Sequence, residues 1–130
     1  MKKILKHPFT PALAFWVILI CAFDLEARKY DLYWIFPHID KVLHVIGGIA
    51  LGTFAWIITD CFWSHVSPWK RFWIVVGIAF AGGLIVEILE FLQQAFHFVS
   101  YPFDPLDTVG DLLCDTLGGV ILFIYYHYLN

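Results

Sequence analysis

Four apolar runs, each close to the length of a bilayer crossing, constrain this chain more than any other feature. A spanning helix needs about 20 apolar residues, with roughly 17–25 tolerated. The run Val42 to Thr59 is interrupted only by His44. Phe72 to Phe91 carries Glu87 and Glu90 near its end, and Leu112 to Tyr128 carries Asp115 one turn inside. A first, shorter run extends from about Phe9 to Phe23, with Thr10 placed to cap a helix and Pro11 suited to its first turn. The expectation is an all-α membrane protein: one transmembrane domain, 1–130, with helices at about 9–23, 42–59, 72–91 and 112–128.

Composition supports that expectation. Hydrophobic residues make up 61% and charged residues 15%, against about 45–50% and 25% in soluble domains. With 8 Lys+Arg against 11 Asp+Glu, the chain lacks the basic stripe a nucleic-acid partner requires. Cys21, Cys61 and Cys114 stand singly, which suggests neither a disulfide framework nor a zinc knuckle. Lys2, Lys3 and Lys6 before a short apolar run also fit a cleaved signal peptide, but no A-x-A site follows and Ile20 precedes Cys21. A retained first helix is the favoured reading.

Basic residues set the orientation. Lys2, Lys3 and Lys6 precede the first helix, and Lys70 and Arg71 lie between the second and third. In a four-span chain these places share a side, the cytoplasmic one, with both termini. On the opposite side Arg28, Lys29 and Lys41 are diluted by Asp24, Glu26, Asp31 and Asp40, and the loop His97 to Gly110 has no Lys or Arg. Trp63, Trp69 and Trp73 then form an inner aromatic belt, and Tyr30, Tyr33, Trp34 and Tyr101 an outer one. The aromatic segment Tyr30 to Ile39 is too short to span and contains Pro37. It reads as a short outer interfacial segment between helices 1 and 2.

The ionisable residues gather at one depth. His44 lies about one turn, roughly 5 Å, inside the outer end of the second helix. Glu87 and Glu90 fall in the last turns of the third, and Asp111 and Asp115 in the first turns of the fourth. Asp40 and His44 are four apart, as are Asp107, Asp111 and Asp115 if that helix begins early; Glu87 and Glu90 are three apart. Such spacings share a helix face. Deeper on the same stripes come Gly48 and Gly52, Gly83 and Gly119, which let helix backbones approach closely in lipid. Three helices packed below an outward-facing polar cavity are expected. An acid in the membrane costs about 2.5–3.5 kcal/mol on insertion scales, so such residues are candidates for function.

The ordered motifs carry a resemblance. Asp40-Lys41-Val42-Leu43-His44 followed by Gly47-Gly48, then Glu87-Ile88-Leu89-Glu90, then Asp107-Thr108-Val109-Gly110-Asp111 through Asp115 to Gly118-Gly119 resembles the VanZ-like and YjdF-type small membrane proteins. It covers about Ile39 to Tyr126. Many VanZ-like members carry Asn at the position of Asp115 and an Arg in the preceding loop, so the Asp107-Thr108 pair and Glu90 fit the YjdF-type variant better. The resemblance implies a compact helical membrane domain in the cell envelope and names no reaction.

The leading expectation is a cavity that binds a metal ion or a polar envelope ligand. His44, Glu87, Glu90, Asp111 and Asp115 are its candidate metal ligands and catalytic groups. Asp40, Lys41 and Asp107 complete the ligand-binding set, with Lys41 as charge partner and Asp104 beside Asp107 at the mouth. Carboxylate and imidazole suit Mg, Mn, Fe or Zn as a divalent metal. Metal-free acid/base chemistry on a lipid-linked envelope substrate is one alternative; a structural polar cluster without a catalytic site is another. H-E-x-x-H, G-x-S-x-G and a phosphate-binding glycine loop are absent. Expected partners are membrane lipids and, through glycine-rich helix faces, a second copy in a homodimer. The expected location is a bacterial inner membrane.

Overall fold

The structure, a computed structural model, describes residues 2–36, 38–63, 65–96 and 104–129. Pro37, Tyr101 and residues 97–103 of the expected outer loop lie outside the described residues. The described chain is helical: α1 (Lys2–Leu5), α2 (Thr10–Lys29), α3 (Leu32–Ile35), α4 (Ile39–Phe62), α5 (Pro68–Ala95) and α6 (Pro105–Ile124), with a π-helical turn at Tyr125–Leu129. Four helices, α2, α4, α5 and α6 with its π-helical extension, are long and apolar enough to cross a membrane. The chain is an all-α membrane protein with four such spans.

Each long helix runs past its apolar run, because local signals outside that run start and stop it. Pro68 and Pro105 sit in the first turns of α5 and α6, where a missing N–H costs nothing. The Asp104 side chain caps α6, its Oδ1 accepting from the Leu106 N–H at 2.9 Å. Thr10 does not cap α2 as expected. It is already helical, and its hydroxyl donates back to the Ile4 carbonyl. At 28 residues α5 is about 42 Å long, more than a hydrocarbon core of about 30 Å, so its ends enter the interfaces or it tilts.

Helices α4, α5 and α6 pack pairwise into the core, α4 most extensively on α6, while α2 lies mainly against α4. Of α2 only Ala27 is buried, which leaves most of that helix to lipid. Close approach of α4 and α6 depends on missing side chains. A Cβ on Gly48 would collide with the Asp115 carbonyl, and one on Gly118 with the Val45 carbonyl. Backbone cannot give way as a flexible side chain can, so these two positions require glycine.

The two ends of the bundle differ. At one, Ala55, Trp56, Val75, Leu122 and Phe123 form an apolar core. Phe72 meets Phe123 edge-on at 5.1 Å, and Phe9 stacks on Tyr126 at 4.2 Å. Asp60 there accepts from Arg71 at 2.8 Å, with His7 at 3.5 Å, and the Arg71 guanidinium lies 4.6 Å over Trp56.

At the other end the turn from α2 into α3 passes through Asp31, whose φ of 52° is left-handed, a conformation Asp tolerates better than most residues. Tyr33 donates to Asp24 at 2.6 Å, and Arg28 donates to the same carboxylate at 3.0 Å. Trp34 is 86% exposed, which suits an interfacial segment and not a core. Burial and the Asp24 carboxylate push the Tyr33 phenol above its ordinary value.

Candidate cation site between three helices

The acidic end of α4, α5 and α6 encloses a polar cluster. Helical periodicity turns Asp40 and His44 of α4 to one face, Glu87 and Glu90 of α5 to another, and Asp107, Asp111 and Asp115 of α6 to a third. His44, Glu87, Asp111 and Asp115 are each buried, and Asp40, Lys41 and Glu90 are half-buried. Because α6 begins at Pro105 and α5 continues to Ala95, Asp115 and Glu87 lie about 15 and 12 Å inside their helix ends. Asp115 is thus nearly three turns inside its helix, where one turn was expected, and Glu87 lies in the last turns of α5, as expected.

His44 is the centre. Its Nδ1 lies 2.9 Å from Asp115 Oδ2 in a buried hydrogen bond. With Asp115 accepting, Nδ1 carries a proton and Nε2 lies on the other side of the ring. Nε2 faces Glu87 Oε1 at 3.7 Å. That separation exceeds a hydrogen bond. Among the described residues Glu87 Oε1 has no hydrogen-bond partner, although Glu87 is 7% exposed. Thr108 of α6 stands near the same carboxylate.

Asp40, His44 and Asp111 each offer one ligand atom, all within 4.8 Å of one another. Two ligand atoms each about 2.1 Å from a shared ion are separated by no more than about 4.2 Å, so a small closure would suffice. Metal-binding histidines commonly hydrogen-bond a carboxylate through the ring nitrogen that does not bind the metal, and the Nδ1–Asp115 bond would leave Nε2 for that role. The three-residue group differs in membership from the expected metal ligands. Asp40 joins it, Asp115 is taken up by His44 Nδ1, and Glu87 and Glu90 stand beside it. Glu90 is close enough to feel the charges of Asp40 and Glu87.

Lys41 links two acids of α6. Its Nζ donates to Asp107 Oδ1 at 2.7 Å and to Asp111 Oδ1 at 3.1 Å, joining an exposed carboxylate to a buried one. Asp104 is committed to the cap of α6.

A family model described as a predicted membrane protein (DUF2238) matches residues 1–130, the whole chain. The chain belongs to that family. No curated protein and no solved structure matches it. In this member of the family, the cluster also depends on residues the sequence reading passed over or placed differently. A Cβ on Gly83 would run into the Asp115 carboxylate, and one on Gly47 would lie 3.4 Å from Asp115 Oδ1. Gly83 is thus the socket for the carboxylate that holds His44. The signal was Gly83 one turn from Glu87, but its facing residue depends on helix rotation.

Proposed function

We propose that this membrane protein binds a divalent cation between α4, α5 and α6. His44 Nε2, Asp40 and Asp111 are the ligands, Asp115 orients the imidazole, and Glu87 supplies a further oxygen. The observation that carries this reading is the Asp115–His44 hydrogen bond, which leaves Nε2 facing a buried carboxylate oxygen that accepts no hydrogen bond among the described residues. One imidazole among carboxylates favours Mn²⁺ or Zn²⁺ over softer ions. The test is elemental analysis of protein purified in mild detergent without chelator, beside His44→Gln. About one ion per chain in the parent and none in the variant supports the site; equal metal in both, or none in the parent even after Mn²⁺ or Zn²⁺ is added back, rejects it.

The same pair supports a second reading. A carboxylate holding one ring nitrogen leaves the other as a general base, as in hydrolytic triads, here toward a lipid-linked envelope substrate. Turnover of such a lipid that persists in EDTA and disappears in His44→Gln would favour it over the cation site. Within the family, the D-K-x-x-H, glutamate and D-x-x-x-D motifs support a VanZ-like, YjdF-type member. The bias of Lys2, Lys3, Lys6, Lys70 and Arg71 supports a bacterial inner-membrane location with cytoplasmic termini. Membrane lipids are its partners. Gly77, with open space beside it, is a small-residue position available for a homodimer contact.

A further inference from the structure

Lys41 has no part as a ligand, yet its ammonium sits on one of the ligands. Asp111 is 2% exposed, while the side chain of Asp107 is 56% exposed, and Lys41 Nζ is shared between them at 3.1 and 2.7 Å. Gly110 leaves room for the ammonium, since a Cβ there would stand 3.0 Å from Nζ. The arrangement provides two positions for one charge. On Asp111 it neutralises a ligand; on Asp107 it stays paired and leaves Asp111 free. Beside His44 the buried Glu87 Oε1 accepts no hydrogen bond among the described residues, so the cluster holds an oxygen open to a cation other than Lys41.

We infer that Lys41 is a tethered counter-cation that competes with the bound ion for Asp111, and that Asp107 is the station to which it withdraws when the ion enters. This rests on the proposed cation site and adds its regulation. Metal entry then exchanges one cation for another at Asp111, so the buried carboxylate is never left uncompensated. Asp107 assists binding without touching the metal, by giving the ammonium somewhere else to go.

The test is Mn²⁺ titration, read by loss of the free-ion electron paramagnetic resonance signal, of detergent-purified parent, Lys41→Met, Asp107→Asn and the double variant. Size-exclusion profiles check that each is folded. Lys41→Met should bind roughly tenfold tighter and Asp107→Asn roughly tenfold weaker, while Asp107→Asn should change affinity little once Lys41 is already Met. If Asp107→Asn weakens binding equally in both backgrounds, the carboxylate acts through its field alone and the inference is overturned. If the parent binds Mn²⁺ and Lys41→Met binds no tighter, the competitor role falls while the cation site stands. If neither the parent nor Lys41→Met binds Mn²⁺, both fall. Binding seen only in Lys41→Met supports both.

Discussion

At the scale of single residues the account turns on the Asp115 carboxylate. An Asn there can still accept from His44 Nδ1, but it no longer raises the basicity of the ring. Asp115→Asn should therefore lower cation affinity by about 10–100-fold, measured by Mn²⁺ titration, with little loss of folded protein. Asp115→Leu removes the partner and leaves a buried imidazole N–H unsatisfied, so it should destabilise by about 1–3 kcal/mol in thermal or denaturant unfolding in detergent. Gly83→Ala tests the socket. The new Cβ displaces the Asp115 carboxylate from His44, so affinity should fall more than stability. The spacing of Asp40, His44, Glu87, Asp111 and Asp115 already placed them together in the sequence. The pairing of Asp115 with His44 and of Lys41 with Asp111 was hidden, because it depends on how each helix is rotated against its neighbours.

Between elements, backbone approach decides the outcome. Gly48→Ala forces α4 away from the backbone of α6 and should cost about 1–3 kcal/mol. Gly77→Ala meets open space, so it should be neutral or stabilise by up to about 1 kcal/mol through helix propensity. Equal effects of the two substitutions on melting temperature in detergent would contradict the packing. The clamp between α3 and α2 is a separate case. Tyr33→Phe should loosen α3 at a cost of about 1 kcal/mol, read as faster amide exchange there. Since the phenol ionises above its ordinary range, the clamp persists through neutral and moderately alkaline pH and is lost only as pH rises through that raised value. The spans were legible as apolar runs, but the reach of α6 was not. Its start at Pro105 and its Asp104 cap precede the apolar stretch, and the capping role of Asp104 was not read from the sequence.

For the whole molecule, three helices meet in a tight core with an apolar aromatic end and an acidic end, and a fourth helix stands mostly in lipid. The orientation we propose from the asymmetry of Lys and Arg puts the acidic end outside the cell. In a background with Cys21, Cys61 and Cys114 replaced, a cysteine at Asp31 should react with a membrane-impermeant maleimide in intact cells. One at Ser67 should react only after permeabilisation, and the reverse pattern would invert the topology. The spans could be read from the sequence because apolar length is a one-dimensional signal. The site itself is three-dimensional, joining residues more than 60 positions apart. Its direct test is an anomalous difference map from crystals of the protein grown with Mn²⁺. The account predicts one strong peak about 2–2.3 Å from His44 Nε2 and from oxygens of Asp40 and Asp111. No peak in the bundle, or a peak at the mouth on Asp107 with the Asp115–His44 pair facing empty space, would contradict it.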